Sequence, residues 1–288
     1  MAEHVLVVGA GTMGAGIAQV CAQSGRRVTL VDVDRARLEV AREGMARSLE
    51  KLAAKGLVEG APEAVLARVA VHAGEVRVLP AEGAADIGVE AVFEDLALKR
   101  RLLPAMERAC REGALLATNT SGIPVTALAE ALRAPGRFVG LHFFNPVVLM
   151  RTVEVIRGDR TTDEAFERAA TLARSLGKDP LLVQRDVPGF VLNRIGSASS
   201  NEALRLVQDG IATAEDIDRG VKGAFGYRMG PFETMDLVGL DVVLDARTLI
   251  FEQTGDPRFE PPELLRRMVR EGRLGRKTGR GFYDHGED

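Results

Sequence analysis

Lysine, asparagine and glutamine are scarce in this 288-residue chain: of 38 basic residues only six are lysine, with four asparagines and five glutamines. The deficit is compatible with a heat-stable source and equally with a biased genomic base composition, so it excludes little alone. Its value is positional, because Asn119, Asn145 and Asn193 all fall within motifs described below. Cysteine is rarer still: Cys21 and Cys110 lie in helix-like segments without CxxC spacing. That argues for reduced thiols in a cytosol-like compartment, and against a nucleophile or a metal ligand; no metal is expected. No apolar run approaches the ~18 residues of a membrane span. The sequence begins almost directly on a strand-like segment at residues 4–8, from which no leader is expected. A soluble, cytoplasmic protein is expected. A net charge of −3 disfavours a general nucleic-acid binder. What remains is ordinary globular composition, 46% hydrophobic and 27% charged, in a length that suggests about two domains.

The first motif opens the chain. The apolar strand Val5-Leu-Val-Val8 runs straight into Gly9-Ala-Gly11-Thr12-Met13-Gly14 and then a small-residue helix. Gly9 permits the tight turn, Gly11 lets backbone approach a pyrophosphate, and Gly14 lets helix and strand pack closely, with phosphates on the free amides of the helix N-terminus. A second strand, Val28-Thr-Leu-Val31, ends in Asp32. A carboxylate there accepts hydrogen bonds from the adenosine ribose hydroxyls and repels a 2′-phosphate, which predicts NAD rather than NADP. The competing reading is a glycine turn followed by a helix-capping aspartate.

Residues 34–56 form a long helical pattern with alternating Arg, Lys and Glu, followed by a break at Gly56 and a further helix near 62–69. Such alternation is usually a solvated face, yet Ser48 and Lys55 fall on one side of the helix, and the helical hairpin near 34–69 exceeds a minimal dinucleotide fold. It is either a solvated insertion or a substrate-binding element. The sheet resumes at residues 69–71 and again at 87–93, the latter ending in Glu94-Asp95 before a helix over 96–110. Lys99, in that helix's first turn where a cation is unfavourable, faces either solvent or a bound phosphate or ribose. The strand at 114–117 ends in the hydroxyl-rich corner Thr118-Asn119-Thr120-Ser121-Gly122. Ligands in open α/β sheets bind beyond the carboxyl ends of the strands, so this corner joins the glycine loop, Asp32 and Glu94 on one edge. The strand at 138–141 delivers His142 to that same edge. A return strand, 152–156, carries the lone carboxylate Glu154 between Val153 and Val155. If the loop folds back, Glu154 meets His142, fixing its tautomer and stabilising its charged form as a general base requires. The alternative is a core histidine beside an unrelated glutamate.

A helix at 163–176 and a strand at 180–184 complete a first domain, 1–185. The segment Asp186-Val-Pro188-Gly189 reads as a linker into a second domain, 186–288. There the periodicity is helical throughout, over 189–208, 213–222, 231–253 and 261–271. Asn193, near the start of the first helix, is either a surface residue or a hydrogen-bond donor facing a cleft. The glycine-rich basic tail around Lys277 is either a surface turn or a phosphate contact. The fold class is therefore α/β: a Rossmann-like, mostly parallel sheet followed by an all-helical C-terminal domain.

These motifs together resemble the L-3-hydroxyacyl-CoA dehydrogenase family, 3-hydroxybutyryl-CoA dehydrogenases included. The resemblance spans essentially the whole chain, through GAGTMGAGIA at 9–18, VEAVFEDLALK at 89–99, NTS at 119–121, HFFNPV at 142–147, VEVI at 153–156, DVPGFVLNRI at 186–195, MGPFETMDLVGLD at 229–241 and GRKTGRGFY at 275–283. It implies reversible NAD-dependent oxidation of an L-3-hydroxyacyl-CoA in fatty acid β-oxidation or butanoate metabolism, by a homodimer joined through the C-terminal domain. It implies His142 as general base and Glu154 as its orienting partner, with Ser121 and Asn193 holding the reacting oxygen. Glu94, Lys99, Ser121, Asn145 and Lys277 match cofactor-contacting positions, beside the glycine loop and Asp32. Ser48, Lys55 and Ser121 match positions that contact the coenzyme A substrate. Val148, Arg151 and Arg228 depart from the residues common in the family and bear on the acyl pocket. Gulonate 3-dehydrogenase and lens crystallin relatives share the fold without a CoA site, and an NAD-binding structural protein or sensor is the reading from another class.

Overall fold

The computed structural model describes residues 2–58, 60–76 and 84–286. The chain divides into two compact units, Met1–Val187 and Pro188–Asp288. The division falls inside the Asp186–Gly189 segment expected as the linker.

The first unit is built on one eight-stranded sheet in the order β3-β2-β1-β4-β5-β6-β7-β8. The strands are β1 His4–Val8, β2 Arg27–Asp32, β3 Val69–Ala73, β4 Ala85–Glu90, β5 Cys110–Thr118, β6 Phe138–Phe143, β7 Thr152–Ile156 and β8 Asp179–Val183. All neighbours run parallel except β6 and β7, which are antiparallel. Helices α1 Thr12–Gln23, α2 Arg35–Ala53, α3 Pro62–Leu66, α4 Leu96–Ala109, α5 Val125–Ala129 and α6 Asp163–Ser175 complete the unit. The central strands read as near-continuous apolar runs because helices cover both faces. Val5, Val7, Leu30, Val89, Leu115, Val139 and Val155 are buried in one cluster with Ile17 and Ala18 of α1 and Phe166 of α6. The sequence starts its helices locally: Asp34 accepts from the amides of Ala36 and Arg37 ahead of α2, Asp95 from Leu98 ahead of α4, and Thr162 from Ala165 ahead of α6.

Four local expectations shift. The strand expected over 87–93 ends at Glu90, because its ladder with β1 and β5 stops where Glu90 pairs with Val8 and Thr118. His142 lies inside β6 rather than beyond it. Cys110 opens β5 instead of closing α4. Lys55 also lies past the end of α2, in the turn that follows Ala53.

The second unit comprises α7 Leu192–Gln208, α8 Ala214–Phe225, α9 Pro231–Val238, α10 Leu240–Thr254 and α11 Glu263–Arg270. Leu204, Phe232, Met235, Leu240, Leu265 and Met268 form its core. The single helix expected over 231–253 is two helices, parted at Gly239, whose φ of 102° no helix accommodates. Two buried carboxylates organise the unit. Asp218 accepts from the amides of Phe232 and Glu233, both at 2.9 Å, and from the Tyr283 hydroxyl at 2.7 Å. Asp236 accepts from the amides of Phe282 and Tyr283, and its Oδ2 lies 2.8 Å from His285 Nε2. A Cβ on Gly281 would collide with the Asp236 carboxylate, and one on Gly275 with the Asp236 backbone. The tail glycines thus allow close backbone approach as expected, and what they approach is α9.

Candidate active site

The nucleotide end of the sheet is assembled from β1, β2 and β4. Gly9 has φ 107°, and a Cβ there would meet the Ala91 carbonyl oxygen at 2.5 Å. A Cβ on Gly14 would collide with the Gly9 carbonyl, whereas nothing lies within 4 Å of one built on Gly11. The first and third glycines therefore serve packing, and the second leaves open space in front of α1. No side chain caps α1, so the first-turn amides of Thr12 and Met13 and the positive end of the helix dipole are available to an anion. Asp32 is fixed beside them: Oδ2 accepts from the Ala10 amide at 2.8 Å and Oδ1 from Asp34 at 3.0 Å. An open glycine turn, an uncapped helix and an oriented carboxylate fit an adenine dinucleotide.

The hydroxyl-rich corner follows β5 and is gathered by Glu94. Its Oε1 accepts from the Thr120 hydroxyl at 2.7 Å and from the Ser121 and Gly122 amides at 2.8 Å each. Its Oε2 lies 3.3 Å from Lys99 Nζ. Burial pushes the Glu94 carboxyl up, but Lys99, the Thr120 hydroxyl and the two amides outweigh it and hold it below the ordinary glutamate value. Lys99 does not face solvent. It is 1% exposed and donates to both oxygens of Glu90, at 2.8 and 3.0 Å, and to the Val92 carbonyl at 3.3 Å. Two carboxylates, Glu90 and Glu94, outweigh the unfavourable helix dipole and turn the lysine inward.

The histidine and its carboxylate come from the antiparallel pair. His142 and Glu154 sit directly opposite each other in the β6–β7 ladder, and His142 Nδ1 lies 2.7 Å from Glu154 Oε2. Glu154 is fully buried and His142 is 6% exposed. The Phe144 ring packs against the imidazole at 4.5 Å between centroids, tilted by 57°. Asn119 joins this strand to the hydroxyl corner by accepting from the Phe143 amide at 2.9 Å through Oδ1. One edge of the sheet therefore holds an oriented imidazole, a serine-bearing corner and a dinucleotide cradle. That combination supports abstraction of a hydroxyl proton beside a hydride acceptor.

The remaining expected residues are placed as follows. Ser48 accepts from Gln19 Nε2 at 3.0 Å, which holds α2 against α1, and Lys55 is exposed in the turn beyond it. Asn145 precedes Pro146 across a cis peptide bond, directly after β6. Asn193 and Lys277 belong to the second unit: Asn193 is half-buried in the first turn of α7, and Lys277 pairs with Asp241 at the start of α10. Sequence reasoning missed Glu90 and the bridging role of Asn119, and it placed Thr118 in the hydroxyl corner without its bond to Glu90. The signal for Glu90 was present, a single carboxylate in an apolar strand, and it is the same signal that singled out Glu154.

Residues 4–187 match the family model described as 3-hydroxyacyl-CoA dehydrogenase, NAD binding domain, and residues 189–285 match 3-hydroxyacyl-CoA dehydrogenase, C-terminal domain. A relative from Deinococcus radiodurans, named probable 3-hydroxybutyryl-CoA dehydrogenase, is 42% identical over 279 residues, covering 97% of this chain and 99% of its own. The human mitochondrial hydroxyacyl-coenzyme A dehydrogenase is 38% identical over 290 residues, covering 98% of this chain and 91% of its own. Among solved structures, (S)-3-hydroxybutyryl-CoA dehydrogenase from Ralstonia eutropha superposes with a TM-score of 0.92 at 38% identity, covering 100% of both chains.

Proposed function

From the premise that this chain belongs to the 3-hydroxyacyl-CoA dehydrogenase family, we propose how its residues divide the work of reversible, NAD-dependent oxidation of an L-3-hydroxyacyl-CoA to the 3-oxoacyl-CoA. The chain is an NAD-dependent oxidoreductase of this kind, as its relatives' names and both domain matches support. Bound NAD supplies the acceptor for the hydride. His142 takes the hydroxyl proton, and in the reverse direction its imidazolium returns it. The observation that carries this assignment is the buried 2.7 Å contact between Nδ1 and Glu154. It commits one ring nitrogen to the carboxylate, so that the substrate proton moves at Nε2, and it stabilises the positive charge that the ring then carries. Ser121 and Asn193 hold the reacting oxygen.

Gly9, Gly11, Thr12, Met13 and Gly14 take the pyrophosphate and Asp32 the adenosine ribose. Glu94, Asn145 and Lys277 serve the nicotinamide half, with Lys99 acting behind Glu94. Ser48 and Lys55 contact the coenzyme A moiety. We further infer a cytoplasmic homodimer. The apolar side chains Leu237, Val238 and Val242, all at least 50% exposed where α9 meets α10, support a subunit contact on the helical unit. Among the described residues no helix is long and apolar enough to cross a membrane.

The test is NADH-linked reduction of acetoacetyl-CoA, compared with oxidation of gulonate. Preference for the CoA thioester, with Lys55→Ala raising its KM several-fold at unchanged kcat, is the expected result. Turnover of gulonate alone, or nucleotide binding without either reaction, refutes the proposal.

A further inference from the structure

Glu90 and Lys99 form an ion pair with 0% and 1% side-chain exposure, nine residues apart, beneath a loop that carries site residues. Burying two charges costs several kcal/mol per ion, and such pairs are often no more stabilising than apolar side chains of equal volume. What a buried pair offers instead is a defined position. Here the chain of contacts is directional. Glu90 is anchored at both strand ends, by the Val92 amide to Oε1 and the Thr118 hydroxyl to Oε2, each at 2.7 Å. It fixes the Lys99 ammonium with both oxygens. The ammonium then holds Glu94 by Oε2, leaving Oε1 to collect the Ser121 and Gly122 amides and the Thr120 hydroxyl.

We propose that Glu90 is a positioning residue for the reaction: by locking Lys99 it sets the Glu94 carboxylate, and through Glu94 it sets Ser121 relative to the strand that bears His142. The proposal rests on the reading of Ser121 as a partner of the reacting oxygen. It explains why the carboxyl end of β4 carries a fully buried glutamate. It also explains why Thr118, which closes β5, directs its hydroxyl at Glu90 rather than toward solvent. The Asn119 bond to the Phe143 amide ties the far side of the same corner to β6, so the serine is held from two directions.

The experiment is a double-mutant cycle in the full-length protein. It reads kcat for NADH-linked acetoacetyl-CoA reduction, NADH affinity by fluorescence titration, and the thermal midpoint of each variant. Glu90→Gln should lower kcat about 10- to 100-fold, the scale of an ångström-level misplacement, with NADH affinity changed less than about threefold. In a Ser121→Ala background the same substitution should cost less than about threefold, because the group it positions is gone. Rate losses that multiply in the double variant overturn the proposal. Thr118→Val removes one anchor of Glu90 without unpairing a buried cation. It should show the same non-additivity with a smaller loss, and it decides the matter if Glu90→Gln fails to fold. Near-normal turnover of Ser121→Ala alone refutes the reading of Ser121 and the proposal with it. A large loss in Ser121→Ala combined with multiplicative effects refutes the positioning role of Glu90 alone.

Discussion

Replacing Glu154 by Gln keeps the size of the side chain and removes one charge from a site with no solvent access. In the parent, Oε2 faces Nδ1 at 2.7 Å, a short distance characteristic of a charge-assisted hydrogen bond. Hydrogen bonds to charged groups contribute about 1.5–3 kcal/mol. That bond is strongest when the imidazole has accepted the substrate proton, so most of its contribution is expected in the transition state. At about 1.4 kcal/mol per decade, its loss predicts a kcat lowered by about 10- to 150-fold. Glu154 faces His142 across the β6–β7 ladder, whereas the glycine turn follows β1 and Asp32 closes β2, so NADH affinity should move less than about twofold. Stopped-flow reduction of acetoacetyl-CoA separates the chemical step from product release, and fluorescence titration gives the NADH affinity. His142→Gln, which removes the base itself, should lose about 10²- to 10⁴-fold in the same assay. A Glu154→Gln enzyme with less than about threefold loss in the chemical step, or with NADH binding weakened as much as turnover, would refute the orienting role.

Two further expectations concern the scaffold. Burial pushes Glu107 up, but the Arg133 and Ala134 amides and the Arg137 guanidinium outweigh it and hold its carboxyl below the ordinary glutamate value. Its folded value then lies below its unfolded one, so its stabilisation is complete above the ordinary range and lost as pH falls through the depressed value. Urea unfolding should therefore show wild type more stable than Glu107→Gln by about 1–3 kcal/mol at neutral pH, with the gap closing on acidification; a gap that widens toward acid contradicts the sign. Burial also pushes the Cys21 and Cys110 thiols up to about 12. The native protein should leave Ellman's reagent unreacted at neutral pH and release both thiols only on denaturation, whereas rapid native labelling would contradict their burial.

What could be read from the sequence was what short stretches encode. The glycine turn, the acid closing β2, the apolar strands and the arrival of His142 at the ligand edge each depend on neighbours within a few residues. The direct opposition of His142 and Glu154 was legible as a condition, that the loop fold back, and the β6–β7 ladder meets it. The misread positions depend on distant partners. Lys99 was judged from the helix dipole, a local term, and its inward turn is dictated by Glu90 and Glu94. Residues 91–93 looked like strand because they continue an apolar pattern, but β1 and β5 offer no further ladder partners there. Gly239 divides an otherwise uninterrupted helical pattern with a backbone angle that composition alone does not specify.

The tail of the chain carries its meaning in negative space. Gly275 and Gly281 meet α9 with bare backbone; they are the places where a methyl group is missing, and Asp236 occupies what is missing. The motif is thus a mould of a carboxylate that lies far earlier in the sequence. A side chain at position 281 would need the Asp236 carboxylate gone, whereas one at position 275 would meet the α9 backbone, which no replacement of Asp236 removes.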